Sequence, residues 1–267
     1  MKQTARLMNW LVAGAVALAM VTSVSAKERS GKVVRVKGAA RYSTGNSVWQ
    51  PVRVGTVVKS GHLIQTAASS TVDIILDVGD LMPARAVAGN VDAYQPKAEQ
   101  DVIRVQEDSV LAIEKLSSTD TGSDRVTETQ LDLRSGKIFG TVKKLSATSR
   151  YEIKLPSGVA GVRGTIYTIS ADGVVQVLVG SVVISWIAPD GTPMTQTVNG
   201  GYQFDVRTGL LTPIPDYDQK EMVKAAKANR IGPNTPPQSF TEDHTIYFVS
   251  PVQGHNGNEG SNGGGGD

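Results

Sequence analysis

The sequence predicts a mainly all-β domain, solenoid-like or sandwich in arrangement, followed by one short C-terminal helix. Short runs of Val, Ile, Thr and Tyr recur from Gly31 to Asp205, and these residue types favour pleated strands. Gly, Asn, Ser or Asp separate the runs about every 8–12 residues, which is the spacing of sandwiches, barrels and solenoids. After Pro215 the composition changes to helix formers, with acidic residues first and basic residues last.

The first 26 residues have the layout of a secretory signal peptide. Lys2 and Arg6 precede an apolar run (10–24), and Ala26 ends a small-residue cleavage site. The run is about 15 residues long, shorter than the roughly 20 that span a bilayer. We therefore expect cleavage after Ala26, a periplasmic or secreted mature chain, and no integral membrane span. Retention of the segment as an anchor is the alternative.

The expected mature chain is electrically neutral. The full chain has 27 Lys and Arg against 25 Asp and Glu, so that removing Lys2 and Arg6 leaves 25 of each. A neutral chain lacks the basic footprint of nucleic-acid-binding proteins, and we expect no nucleic acid partner. Because the chain contains no Cys, an exported domain must be stabilised by its packed core and not by disulfides.

Residues 27–213 are expected to form the β-domain. Two segments interrupt its pattern: residues 81–101 are predicted to be an insertion or long loop, and Ser117–Asp124 a polar loop. Asp172-Gly173 predicts a tight hairpin. The strand-like runs are Lys32–Val36, Val52–Val58, Thr71–Leu76, Val102–Val105, Val110–Ile113, Ile138–Val142, Tyr151–Leu155, Thr165–Ile169, Val174–Val179 and Val182–Ile187.

Three further segments are predicted after the β-domain. Residues 214–232 form the helix, in which Lys220, Lys224 and Lys227 share one face that we expect to be solvated. Residues 233–250 form a stiff linker and a terminal strand. Residues 251–267 are rich in Gly and Asn and cannot bury enough apolar area to order themselves, so we expect a disordered tail.

The segment Tyr151–Thr168 is the part of the sequence that comes closest to a family signature. Two strand-like runs flank what is predicted to be a structural turn, formed by Gly158, Gly161, Gly164 and Thr165. Arg163 within it is the candidate for a ligand or partner contact, because a guanidinium binds a carboxylate bidentately. Alternatively, its donors bind backbone carbonyls of adjacent turns.

Catalytic, metal and cofactor signatures are absent from the sequence. His62, His244 and His255 have no second His or carboxylate at ligand spacing, so we expect no metal and no cofactor. We expect no catalytic residues, since there is neither a nucleophile elbow nor a phosphate loop. Five aromatic residues are candidates for a platform on which a polysaccharide stacks, and packing in the core or at sheet edges is the alternative role. They are Tyr42, Trp49, Tyr151, Trp186 and Tyr202.

Several stretches between Gly31 and Asp205 follow one another in the order of a known domain. The most specific is Val162–Thr165, which follows an apolar run and Pro156. In that order they resemble the FecR-type domain, the periplasmic domain of the FecR iron-transport regulators. The stretches are Gly31–Gly38, Trp49–Gly55, Lys59–Thr66, Val72–Asp77, Leu131–Ile138, Tyr151–Pro156, Val162–Thr165 and Val177–Val182.

The resemblance implies an envelope β-domain that binds another macromolecule. The regulators of this family carry a cytoplasmic anti-sigma domain and a transmembrane helix before the periplasmic domain. Here a predicted signal peptide stands in that place, so we expect the binding module without the anti-sigma part.

Three functions remain open. The first is a non-enzymatic protein-binding or scaffold module whose partner is an envelope protein. The second is a polysaccharide-binding accessory or an enzyme whose site only forms in three dimensions. The third is a component of a cell-surface signalling relay. A concave cleft with converging carboxylates would favour the enzyme.

Overall fold

The computed structural model describes residues 26–76, 97–122, 124–230 and 238–240. These residues form eighteen strands and one helix, so the predicted fold class, mainly β with a C-terminal helix, is confirmed. The elements are β1 (Lys27–Glu28), β2 (Gly31–Lys37), β3 (Ala40–Ser43), β4 (Trp49–Pro51), β5 (Val57–Val58), β6 (Leu63–Thr66), β7 (Thr71–Ile75), β8 (Val102–Val105), β9 (Val110–Asp120), β10 (Arg125–Ser135), β11 (Lys137–Val142), β12 (Arg150–Leu155), β13 (Gly158–Ser170), β14 (Val174–Ile187), β15 (Pro193–Asn199), β16 (Tyr202–Asp205), β17 (Leu210–Pro213), α1 (Asp216–Ala228) and β18 (Gln238–Phe240).

Several predictions fall on residues that the structure does not describe. Residues 1–25 of the expected signal peptide, residues 81–96 of the expected insertion, and the tail 251–267 lie outside the described residues. Of the segment 233–250, only β18 is described, and it pairs in parallel with β2.

The strands form one curled sheet, a half-barrel with two branches. One branch runs β18–β2–β7–β8–β11–β13–β14–β16–β17. The other runs β15–β14–β13–β12–β10–β9–β6–β3–β4. Both branches contain β13 and β14, so this hairpin joins them.

The β13–β14 hairpin passes from one branch to the other at a bend. The first part of β13 pairs with β12, whereas its last six residues pair with β11. In the same way, β14 pairs first with β16 and then with β15. The register of the hairpin shifts between Arg163 and Ile166, at the point where the partners change.

Glycines form the corner of this bend. Gly164 and Gly180 have φ angles of +65° and +86°, which residues other than glycine rarely adopt. A Cβ on Gly180 would lie 2.3 Å from the carbonyl oxygen of Gly164. The turn that follows β15 also contacts the corner, since the Gly200 N–H donates to the Gly180 carbonyl at 2.9 Å. The Thr165 hydroxyl, fully buried, donates to the Ser181 carbonyl at 2.8 Å and ties the bent strands together.

The expected three-glycine turn is corrected by the structure. Gly158 to Ser170 is one strand, and the chain reverses before it, between Leu155 and Gly158. Gly158 allows the β14 backbone to lie close to it, because a Cβ at this position would be 2.4 Å from the Ser185 carbonyl oxygen. Gly161 lies within the strand, where a Cβ would make an ordinary contact of 3.7 Å. Pairing on both sides of β13 therefore overrides the local turn signal of the glycines.

The predicted polar loop is also shorter than expected. β9 continues to Asp120, so Ser117 and Ser118 lie in a strand. They pair with β1 on one side and with β10 on the other, and these ladders satisfy backbone groups that a loop would expose.

The core lies inside the curled sheet and is built from inward-facing Val, Ile, Leu and Tyr of both branches. Tyr167 is fully buried, and its ring occupies the space above Gly140, where a Cβ would approach it to 2.3 Å. The Tyr151 and Tyr167 hydroxyls lie 3.2 Å apart and share a hydrogen bond. Burial raises the pKa of both phenols, so both remain neutral at all physiological pH values.

Substitution of Gly180 tests the importance of the corner. We expect Gly180→Ala to lower the free energy of unfolding by about 2–4 kcal/mol, because it combines backbone strain with overlap on Gly164. Gly161→Ala is the matched control, with an expected change within about 0.5 kcal/mol. Urea denaturation followed by circular dichroism measures both. Equal destabilisation by the two variants would contradict the assigned corner.

Candidate functional site

Helix α1 packs on the outer face of the half-barrel. Met222 and Ala226 are buried against Phe139 and Ile166 of the sheet. The first turn carries two acidic residues and the last turn Lys227, which complements the helix dipole. The three lysines that share a face, Lys220, Lys224 and Lys227, are all exposed.

The sheet beneath the helix carries a row of residues in direct register across eight strands. Each member is opposite its neighbour in the ladder, so all of them face the same side. The row is Arg35, Asp73, Arg104, Phe139, Thr168, Gln176, Gln203 and Thr212.

One end of the row is an ionic cluster. Asp73 is 1% exposed and accepts Arg35 Nη1 at 2.7 Å and Arg104 Nε at 2.7 Å. Burial alone would lower the pKa of Arg104, but the hydrogen bonds and charge of Asp73 outweigh it and raise that pKa. Arg35 also donates to the carbonyl of Ala228 at 3.1 Å. The cluster therefore ties the C-terminal end of α1 to three strands.

The other end of the row is a chain of hydrogen-bonded side chains centred on two glutamines. Gln176 Nε2 donates to Gln203 Oε1 at 3.0 Å and to Asp218 Oδ2 of the helix at 2.8 Å. Gln203 Nε2 reaches Thr212 Oγ1 at 3.3 Å. These bonds hold the N-terminal turn of α1 above the sheet.

A groove lies between α1, the row and the loops at one end of the half-barrel. It consists of two adjoining cavities of about 620 and 540 Å³. Residues shared by the two cavities show that they are continuous: Gln106, Glu107, Lys137, Thr168, Gln176 and Asp218. Tyr217, which is 74% exposed, stands on the helical wall.

Three of the four carboxylates that line the groove accept hydrogen bonds from neighbouring groups, and the fourth, Glu221, pairs at the surface with Lys224 at 3.7 Å. Glu107 accepts the Ser69 N–H at 2.8 Å, and Asp218 accepts Gln176. Asp172 accepts the Ser170 hydroxyl. By contrast, the side chains of Gln106 and Lys137 make no hydrogen bond to any described residue. The groove thus offers free donors and acceptors to a polar ligand.

Arg163, the sequence candidate for a ligand or partner contact, does not line this groove. Its guanidinium is exposed, and Nη2 makes one long hydrogen bond of 3.5 Å to the Leu145 carbonyl. Gly158, Gly161, Gly164 and Thr165 shape the strand and corner described above and also lie outside the groove.

Metal-ligating groups do not cluster among the described residues, where no three His, Cys, Asp or Glu side chains converge. His62 stacks on Tyr42, with ring centroids 5.9 Å apart. Burial and the charge of Lys59 lower the pKa of His62, so its imidazole is neutral at pH 7. His244 and His255 lie outside the described residues.

The aromatic residues considered for a sugar platform lie in separate contacts. Arg41 covers the ring of Trp49 at 4.4 Å, and Trp186 packs on Phe204 at 5.2 Å. Tyr42 stacks on His62, whereas Tyr151 is buried against Tyr167. Tyr202 is exposed on β16.

The row and the groove were missed by sequence reasoning. The available signal is a single polar residue in the middle of an apolar strand, as in Val72-Asp73-Ile74 and Ile103-Arg104-Val105. Each such residue must face away from the core, but its partners depend on strand order. Among the described residues, no helix has the length and hydrophobicity of a membrane span.

Residues 95–183 match the family model described as FecR protein, so the chain contains a FecR domain over this range. The match is narrower than the Gly31–Asp205 resemblance and includes the bent hairpin as far as Val183. No curated protein matches the chain.

Two crystal structures also resemble the chain, each described as a provisionally assigned anti-sigma factor from Parabacteroides distasonis ATCC 8503. The first has 15% identity and a TM-score of 0.30, covering 45% of this chain and 53% of that chain. The second has 14% identity and a TM-score of 0.27, covering 56% and 54%. The chain therefore spans about half the length of these structures.

The ionic cluster makes a testable contribution to stability. We expect Asp73→Asn to lower the free energy of unfolding by about 3 kcal/mol, because two half-buried guanidinium groups lose their carboxylate. Asp132→Asn, in the exposed pair with Arg134, is the control and should cost less than about 1 kcal/mol. Chemical denaturation of both variants measures the difference, and equal effects would show that the buried cluster adds nothing.

Proposed function

We propose that this FecR-domain protein is an exported, non-enzymatic binding module of the cell envelope. Its groove under α1 would receive an extended segment of another envelope protein. The FecR domain supports a regulatory or binding role, and the predicted signal peptide supports export. No cofactor or metal is required for such a role.

The observation that carries this proposal is the lining of the groove. An extended polypeptide presents alternating N–H donors and C=O acceptors, each of which needs a partner when it is buried. Lys137 and Gln106 supply free donors, and the amide of Gln106 also supplies an acceptor. The exposed ring of Tyr217 at the wall offers the type of aromatic anchor that contributes strongly to protein interfaces.

The engaged carboxylates favour binding over catalysis. A general acid or base must be able to exchange a proton with the substrate in the site. Asp172 and Asp218 instead hold side chains of the sheet and its turn in place. These bonds support a role for the groove as a preformed recognition surface.

Crosslinking from the groove wall in cells tests the proposal. We expect a photocrosslinking phenylalanine analogue at Tyr217 to capture one envelope protein reproducibly, since this side chain is exposed beside the groove. The same analogue at Val48, which is 55% exposed in the connection between β3 and β4 and does not line the groove, is the positional control. Mass spectrometry identifies the adducts. Identical adducts from both positions, or none from Tyr217, would contradict the proposal.

A pair of substitutions tests whether the lining residues bind the captured protein. Lys137→Ala with Gln106→Ala should reduce the Tyr217 adduct at least about tenfold, because losing a hydrogen bond to a charged group costs about 1.5–3 kcal/mol. Lys115→Ala, which removes an exposed lysine paired with Glu128, is the matched control and should leave the adduct unchanged.

Export has its own test. We expect the chain recovered from the periplasm or medium to begin at Lys27, because cleavage is predicted after Ala26. Intact-mass spectrometry after cell fractionation measures this. A chain that keeps residues 1–26, or that remains in the cytoplasm, would contradict the proposed location.

A further inference from the structure

One strand of the sheet has a long edge that no described strand covers. The edge strands β1, β4, β5, β17 and β18 contain only two to four residues each. β15 has seven residues and pairs only with β14. It is therefore the one long edge in the described part of the sheet.

The β15 edge also lacks the usual protection against pairing. Natural proteins guard edge strands with short length, charge, proline or bulges. Two of the short edges contain a proline, Pro51 in β4 and Pro213 in β17. β15 carries no charged residue, its register with β14 shows no bulge, and Pro193 stands only at its first position.

The backbone groups that face outward can be assigned from the ladder. Ala188 N donates to Thr192 O, and Gly200 N donates to Gly180 O, on either side of the β14–β15 pairing. Hydrogen-bonded pairs alternate along an antiparallel ladder, so the residues at 194, 196 and 198 bond to β14. The N–H and C=O groups of Thr195, Thr197 and Asn199 therefore point away from the sheet.

The strand is anchored at one end and projects at the other. Val198 and its partner Val182 are buried in the core, which fixes the position of Asn199 and Thr197. Towards the hairpin tip the side chains become exposed, and Ile187 is 66% exposed. The edge is thus anchored at Val198 and exposed towards the hairpin tip.

We propose that β15 pairs with β15 of a second copy of this chain, antiparallel about a two-fold axis at Thr197. Thr197 then faces Thr197 of the second copy, and Thr195 faces Asn199. The three outward residues of each strand exchange both backbone bonds with their opposite residues, giving about six hydrogen bonds. Pro193, which has no N–H, marks the end of the pairing.

The side chains of β15 favour a second copy of this chain as the partner that pairs with its edge. Thr–Thr pairs are favourable across antiparallel strands, whereas like charges opposite each other are destabilising. No charge occurs in β15, so the two-fold pairing brings no like charges together. Val183 lies beside Thr197 on the same face, so the pairing also joins the exposed Val183 side chains of both copies into one row.

A single-cysteine variant tests the register directly, since the chain has no native Cys. In the proposed dimer the two Thr197 Cα atoms lie about 5.5 Å apart, within the range of a disulfide. Under mild oxidation of the purified full chain, Thr197→Cys should form a covalent dimer. Ser185→Cys is the control: it lies one strand inward, so its two copies would be at least about 14 Å apart and should not react.

Sedimentation velocity measures the reversible association of the same purified protein, with no envelope partner present. We expect a concentration-dependent dimer between about 1 µM and 1 mM. Thr197→Lys should raise the dissociation constant at least about tenfold by placing like charges opposite each other. Leu210→Lys, on the short exposed edge of β17, should leave the dissociation constant unchanged.

Two results would overturn the proposal. One is a wild-type protein that stays monomeric over this range, and the other is a Thr197→Lys variant that dimerises as well as wild type. Because neither assay involves the groove, failure here leaves the proposed function of the groove standing.

Discussion

The bend of the β13–β14 hairpin at Gly164 and Gly180 is the constraint on which the rest of the structure depends. There two paired strands continue through a corner and belong to both branches of the sheet. The two φ angles disfavour a side chain at either position, and a Cβ on Gly180 would lie only 2.3 Å from the Gly164 carbonyl oxygen. The half-barrel encloses a core because this corner turns the sheet back over itself.

The groove and the free edge both follow from that corner. Between the bend and the turn that joins them, β13 pairs with β11 and β14 pairs with β16. In this part the outward residues Thr168 and Gln176 form the floor of the groove under α1. Beyond the bend, from Ser181 to Ile187, β14 pairs with β15, and the tip of this second hairpin is exposed. One surface is therefore polar and covered by a helix, while the other is a backbone edge that no described strand covers.

The polar row under α1 fixes the helix in position. An apolar contact alone would permit the helix to shift along the sheet, since hydrophobic burial is not directional. Asp73 with its two arginines holds one end through the Ala228 carbonyl, and Gln176 holds the other through Asp218. Such networks specify a single arrangement when their members are satisfied. The groove is consequently preformed, which suits recognition by a rigid surface.

Sequence by itself determined the fold class, the position of the helix and most strand centres. Val102–Val105 coincides with β8, because a run of apolar β-branched residues is a local property. The tertiary structure decided what the glycines do: Gly158, Gly161 and Gly164 look like a turn locally, yet pairing on both sides makes Gly158–Ser170 one strand with a corner. It also decided that Arg35, Asp73 and Arg104 meet, and that one edge of β15 pairs with no described strand. These features depend on strand order, which arises from contacts between residues far apart in the chain, and no local pattern encodes it.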